Sequence, residues 1–387
     1  MRREGIRTLV LPAFAAIAGW VAWSGLVLLL PVALAFPVLW SLAQSRRTAA
    51  LVSAAYFLAA SRGLPQGIAA FYQSDLWPGL LLWLVASVSF VMVHALLWTP
   101  SQGRRPLRYL LACLLTAIPP FGITGWAHPI TSAGVVFPEW GWWGLAATTA
   151  GLMGLTSRIR PAVTILLAGF WLWSAAFWTM PKIPVGWQGV DLDLGASLGR
   201  DAGLTRQRAL IAIAQERAAA GIGTVLLPES AIGSWTPTVE RLWTTALEDR
   251  PLIVLAGAVV ITPHGYDNVL VAVSQIGGRI LYLERMPVPG SMWQPWRSWM
   301  GVSGGVRANV FSNPVVDLGG RKLAPLICYE MLLVWPVLHS MLYDPDIIVA
   351  VGNGWWTVGT SIVSIQRASA TAWAHLFGKP LVLAFNT

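Results

Sequence analysis

The hydropathy of this chain changes character at Pro181, and that change limits what it can fold into. Seven apolar stretches fill the first half, at 8–23, 26–43, 48–61, 76–98, 107–125, 137–156 and 161–179. Beyond Pro181 the apolar runs shorten and alternate with amphipathic segments. A membrane-spanning helix takes about 20 apolar residues. Short apolar runs divided by helical segments point instead to a buried sheet covered by helices. The chain is 56% apolar and only 11% charged, with 23 Trp, the balance of a membrane protein. The expected fold is an α-helical transmembrane bundle of about seven spans over residues 1–180, followed by an α/β domain over 181–387.

Charge orders the first half. It holds eleven arginines and three acids, so most of the net charge of +9 belongs there. Arg2, Arg3 and Arg7 precede the first stretch. Arg46 and Arg47 follow the second, Arg104, Arg105 and Arg108 the fourth, Arg158 and Arg160 the sixth. With seven spans these clusters share one face, which the positive-inside rule makes cytoplasmic. The expectation is a multi-pass protein of the bacterial inner membrane, with its N-terminus in the cytoplasm and residues after 180 in the periplasm. No zinc-ligand spacing, phosphate loop or basic-aromatic patch occurs, so neither metal, cofactor nor nucleic acid is expected.

In the second half, strands are expected at Trp187–Leu194, Thr224–Pro228, Leu252–Val260, Val269–Gln275, Arg279–Glu284, Lys322–Cys328, Asp346–Val351 and Pro380–Phe385. Helices are expected at Thr205–Ala220, Val239–Glu248, Glu330–Leu342 and Ser361–Phe377. Two strand ends carry chemistry. Thr224-Val-Leu-Leu-Pro-Glu-Ser230 ends on Glu229, and Leu323-Ala-Pro-Leu-Ile-Cys-Tyr-Glu330 ends on Cys328. Thiolate attacks carbonyl carbon, and a neighbouring acid takes the proton and returns it to the leaving group. The only other cysteine, Cys113, lies in an apolar helix, so no disulfide is expected.

These motifs, in this order, resemble the nitrilase (carbon-nitrogen hydrolase) superfamily. Leu227-Pro-Glu-Ser230 is similar to the segment bearing the general base, Ile327-Cys-Tyr-Glu330 to the nucleophile motif, and Gly352-Asn-Gly-Trp-Trp356 to the segment after the next strand. The layout resembles the membrane-embedded branch typified by apolipoprotein N-acyltransferase. Further stretches, among them Trp126-Ala-His-Pro-Ile130 and Ser291-Met-Trp-Gln-Pro-Trp296, are similar to a conjugal transfer family of Agrobacterium-type plasmids. The resemblance implies an αββα sandwich in the second half and acyl transfer through a thioester. It implies a membrane phospholipid as acyl donor, a lipoprotein or small amine as acceptor, and proteins of the conjugation apparatus as partners.

The resemblance also implies a catalytic Glu-Lys-Cys triad, and here the chain departs from it. Its only lysines are Lys182, Lys322 and Lys379. Arg285 is the nearest basic residue and the candidate oxyanion donor, although Glu284 also fits the lysine's place. Arginine supplies charge but is not a conservative replacement for lysine. The expected catalytic residues are therefore Glu229, Arg285 and Cys328. Tyr329, Glu330, Asn353, Trp356, Trp293 and Trp296 are expected to bind substrate or support the site. Trp293, Trp296 and Trp299 recur at a spacing of three and would line one stripe of a helical lid dipping toward lipid. Two alternatives remain: an amidase acting in the periplasm through the same residues, and a catalytically retired scaffold of the conjugation apparatus.

Overall fold

The computed structural model describes residues 2–196 and 203–387, with side chains omitted for residues 2–7 and Ser298. The side chains of the first basic cluster, Arg2, Arg3 and Arg7, thus lie outside the described part. The first half contains α1 (Arg2–Ala22), a 3-10 helix (Val27–Leu34), α2 (Ala35–Leu42), α3 (Arg46–Ala60), α4 (Leu64–Tyr72), α5 (Leu76–Leu97), α6 (Arg105–Ala117), α7 (Ala133–Val136), α8 (Gly141–Leu155) and α9 (Arg160–Ala176). The second half runs β1 (Trp187–Gly189), α10 (Leu204–Ala219), β2 (Thr224–Leu226), β3 (Gly233–Ser234), α11 (Pro237–Ala246), β4 (Ile253–Thr262), β5 (Gly265–Ser274) and β6 (Gly277–Leu283). It continues with α12 (Trp296–Trp299), β7 (Val316–Leu318), β8 (Arg321–Ile327), a 3-10 turn (Cys328–Leu332), α13 (Val334–Met341), β9 (Ile347–Asn353), α14 (Ile362–Leu376) and β10 (Leu381–Asn386).

The chain forms two compact units. One comprises Met1–Pro181 with Leu332–Trp335 and Gly359–Gly378; the other comprises Lys182–Met331, Pro336–Val358 and Lys379–Thr387. The helical unit therefore takes in α14. Gly134 on α7 makes this possible: a Cβ there would lie 1.8 Å from the Ala372 carbonyl oxygen of α14. Its centre is aromatic. Phe36 stacks on Tyr56 with ring centroids 4.5 Å apart, and Trp23 donates to the Tyr56 hydroxyl at 2.9 Å.

The expected bundle of about seven spans is not what forms. Among the described residues one helix, α5, is both long and apolar enough to cross a membrane, with 22 residues. At about 1.5 Å per residue it is about 33 Å long, matching a hydrocarbon core of about 30 Å. The other stretches give apolar helices that are shorter or interrupted. Pro31 and Pro37 fall in stretch 26–43, which splits into a 3-10 helix and the eight-residue α2. Stretch 48–61 gives the 15-residue α3, and stretch 107–125 gives the 13-residue α6. Helices of that length reach about 20–23 Å and fall short of the core. Prolines lack the N–H that continues a helix, which the hydropathy of a window does not register.

The sheet unit follows the expected alternation closely. Its first sheet runs β1-β2-β4-β5-β6, with β3 alongside β4. Strands β1, β2 and β4 are parallel, whereas β4, β5 and β6 are antiparallel. The second sheet runs β10-β9-β8-β7, parallel but for β7. Leu226, Leu255, Leu270 and Tyr282 of the first sheet share a core with Leu323, Ile327, Val349, Val351 and Val382 of the second. On the first sheet's other face, Val225, Val254 and Val271 pack with Leu210 and Ile211 of α10 and Trp243 of α11. Helix, sheet and sheet thus stack in that order. Alternate residues of one strand serve the two cores, as the period of two requires.

Candidate active site

Glu229 is placed by a close approach of two backbones. After β2 the chain stays beside β4: Leu227 N–H donates to Leu255 O at 2.8 Å, and Gly257 N–H to Pro228 O at 3.1 Å. A Cβ on Gly257 would lie 2.4 Å from Glu229 Cα and 2.6 Å from Ser230 N, so only glycine fits there. Ser230 turns the chain with φ of +59°. The result is a carboxyl group at the end of β2 that is 95% shielded from solvent.

Cys328 ends β8 in a strained conformation. Its φ is +49°, a region that costs a residue with a side chain about 1–3 kcal/mol and recurs at functional sites. The chain then enters the 3-10 turn Cys328–Leu332. Glu330 stabilises this turn from within, because its Oε2 accepts the Ile327 N–H at 2.8 Å. The Cys328 thiol and the Asn353 main chain both act on the Glu229 carboxyl and pull its pKa down, while its Oε2 is buried without a hydrogen-bond partner among the described residues. Acid and thiol, about a hundred residues apart in the chain, therefore share one site. Burial pushes the Glu229 carboxyl up to about 7, against the pull of those two groups.

The remaining expected residues divide between support and periphery. Asn353 ends β9, and its side-chain oxygen accepts from Asn386 Nδ2 at 2.7 Å. Trp356 Nε1 donates to Asn353 O at 2.9 Å, so it fixes the loop that presents the Asn353 N–H. Tyr329, next to Cys328 in the chain, is buried. Trp293 lies in a tight turn, its N–H donating to Val288 O at 3.1 Å. The tryptophan stripe does not form one helix, since α12 covers only Trp296–Trp299. Pro295 precedes that single turn, and Gly301 follows with φ of +68°. Trp299, 82% exposed, faces solvent.

Arg285 and Glu330 form a separate, densely bonded cluster. Glu330 is fully buried and accepts from Arg285 N at 2.6 Å, Met286 N at 3.2 Å and Tyr282 Oη at 2.8 Å, besides Ile327 N. The buried Arg285 guanidinium turns into the same interior. Nε donates to Tyr282 Oη at 2.8 Å, and Nη2 donates to Ser340 Oγ at 3.1 Å and to Pro325 O at 3.4 Å. Its Nε stands 3.9 Å from Glu330 Oε1. This guanidinium braces the ends of β6 and β8, and the carboxylate it pairs with is Glu330.

Glu284, not Arg285, shares a hydrogen-bond donor with Glu229. Asn268 Nδ2 donates to Glu284 Oε2 at 2.9 Å and to Glu229 Oε1 at 3.3 Å. The strand end is fixed by Glu284 N–H donating to Asn268 O at 2.9 Å and by Asn309, whose main chain and side chain both donate to Glu284 O at 3.2 Å. Burial and the negative charges of Glu229 and Glu330 hold the Glu284 carboxyl well above the usual carboxylate range. Sequence reasoning overlooked Asn268. Its signal was an amide entering an otherwise apolar strand, Asn268-Val-Leu-Val-Ala-Val273, where a buried polar group demands partners.

Residues 58–375 match the carbon-nitrogen hydrolase family. The chain is 65% identical to the "Probable conjugal transfer protein TraB" of Sinorhizobium fredii (strain NBRC 101917 / NGR234), with both chains covered in full. It is 57% identical to the "Conjugal transfer protein TraB" of Agrobacterium fabrum, covering all of this chain and 94% of the relative. Among solved structures, an amidase from Nesterenkonia sp. overlaps 52% of this chain and 75% of its own at 14% identity, with a TM-score of 0.40.

Proposed function

The chain belongs to the carbon-nitrogen hydrolase superfamily and to its TraB conjugal transfer proteins, and from that premise we propose that it is a thiol enzyme acting in plasmid conjugation. The observation that carries this reading is that the buried Glu229 carboxyl interacts with the Cys328 thiol, which pulls its pKa down against the push of burial. Glu229 takes the thiol proton, the sulfur attacks an acyl carbon, and a thioester forms on Cys328. An amine or water then takes the acyl group. A phospholipid ester is the proposed donor, and a lipoprotein or small amine the proposed acceptor. The apolar length of α5 supports work at the cytoplasmic membrane.

Conjugation frequency tests this reading. Donor cells carrying Cys328→Ala or Glu229→Gln, at matched protein levels, should transfer plasmid at least about tenfold less often than wild type. Transfer at the wild-type frequency would instead favour a scaffold role, which the replacement of lysine by Glu284 beside Asn268 also makes chemically coherent. Incubation with phospholipid vesicles should add one acyl mass to the Cys328 peptide. Acylation of the same cysteine by simple amides but not by esters would favour an amidase.

A further inference from the structure

Resting on that reading, we propose that Glu284 is a further catalytic residue: a neutral carboxylic acid that donates its hydrogen bond to the substrate's carbonyl oxygen, in place of a cation. Two independent observations lead there. Asn268 Nδ2 bridges one oxygen of Glu284 and one of Glu229, so the two carboxyls stand a single amide apart. The other oxygen of Glu284, Oε1, is buried and has no hydrogen-bond partner, in a side chain 1% exposed. Glu229 Oε2 is buried without a partner among the described residues as well, so each of the two carboxyls bridged by Asn268 keeps one open oxygen, and a buried polar atom left open calls for an explanation.

Charge decides the form Glu284 takes. The titratable groups facing it are Glu229 from the turn after β2 and Glu330 from the turn after β8; Asn268 of β5 adds one neutral donor. Burial raises the Glu330 carboxyl too, but the main-chain donors and the Arg285 guanidinium pull it back toward the anion, whereas Glu284 has only the Asn268 amide to pull it back. Glu229 must be ionised to act as base. A third buried anion beside them would have no counter-charge, and like charges this close do not ionise together. The proton therefore rests on Glu284. A carboxylic acid held neutral by its surroundings is a competent donor to a developing oxyanion.

The steps balance without an outside reagent. Cys328 gives its proton to Glu229 as the sulfur–carbon bond forms, and the carbonyl π pair moves to oxygen, which Glu284 O–H holds. The carbonyl then re-forms, the carbon–leaving-group bond breaks, and Glu229 passes its proton to the leaving alkoxide or amine. Water or an amine repeats the sequence on the thioester and restores the thiol. Glu284 keeps its proton throughout.

The test separates oxyanion stabilisation from packing. Full-length protein is treated with p-nitrophenyl butyrate, whose attack builds an oxyanion, and with iodoacetamide, whose alkylation of sulfur does not. Modification of Cys328 is followed by peptide mass, which separates it from Cys113. Glu284→Ala should slow acylation about 100- to 1,000-fold, the usual effect of losing one such donor, and leave alkylation within about twofold. Glu284→Gln, a near-isostere that still donates, should acylate within about tenfold of wild type. It should also lose the decline that wild type shows at alkaline pH when Glu284 gives up its proton. Equal slowing of both reactions by Glu284→Ala, no slowing of either, or an unchanged alkaline decline in Glu284→Gln would overturn the proposal. Wild-type Cys328 that alkylates but never acylates would defeat the acyl-transfer reading itself.

Discussion

Glu330 and Glu229 are both buried carboxyls at strand ends, and the protein treats them in opposite ways. Around Glu330 the structure assembles three main-chain N–H groups, a tyrosine hydroxyl and a guanidinium. Around Glu229 it supplies an amide at 3.3 Å, one main-chain N–H and the thiol. Burial raises the Glu330 carboxyl as it raises Glu229, but the first arrangement sets five donors against that push. The second leaves the gain and loss of a proton close in energy, as a general base requires. Two adjoining acids thus separate into brace and reactive group through the number of donors each receives.

Removing the brace should have the largest effect. Glu330→Ala leaves Arg285 buried without its counter-charge, and breaking a buried pair in this way costs about 3–5 kcal/mol. Denaturant unfolding should show that loss; a change below about 1 kcal/mol would erase the distinction between the two acids. The next effect has the opposite sign. Glu229 ionises near its ordinary 4.5 in the unfolded chain and near 7 in the folded one. At pH 4 both states hold the proton. As pH rises between those values the unfolded state loses it first, so folding stability falls, by about 3 kcal/mol once both are ionised. Glu229→Gln should therefore stabilise the fold by up to about 3 kcal/mol at pH 8 and by nothing at pH 4, while abolishing acylation. Equal stability changes at both pH values would show that burial does not set this proton. The smallest effect belongs to Tyr282→Phe, which removes one donor to a charged acceptor and should cost about 1.5–3 kcal/mol by the same unfolding measurement. A loss no greater than that of an exposed tyrosine would place Tyr282 outside the brace.

The sheet unit was legible because its chemistry sits at strand ends, where a period of two and a polar terminus are both visible in the letters. Leu227-Pro-Glu-Ser230 and Ile327-Cys-Tyr-Glu330 announce their acid and thiol in that way. Glu284 and Arg285 could not be separated by the same reading. Neighbours at a strand end project to opposite sides, and a shift of one residue exchanges which of them meets Glu229. Only Asn268, paired across β5 and β6, settles the choice. The helical unit misled for another reason. Average hydropathy counts apolar residues without asking whether the helix continues; Pro31 and Pro37 fall within two short helices, and the Pro119-Pro120 pair follows the end of α6.

The central claim is that Glu229 controls the reactivity of Cys328. Its most direct test is the rate of Cys328 alkylation by iodoacetamide across pH 5–9, in wild type and Glu229→Gln. The wild-type rate should climb as Glu229 loses its proton around pH 7, and that rise should vanish in the glutamine variant. Superimposable profiles in the two proteins would contradict the pairing of this acid with this thiol.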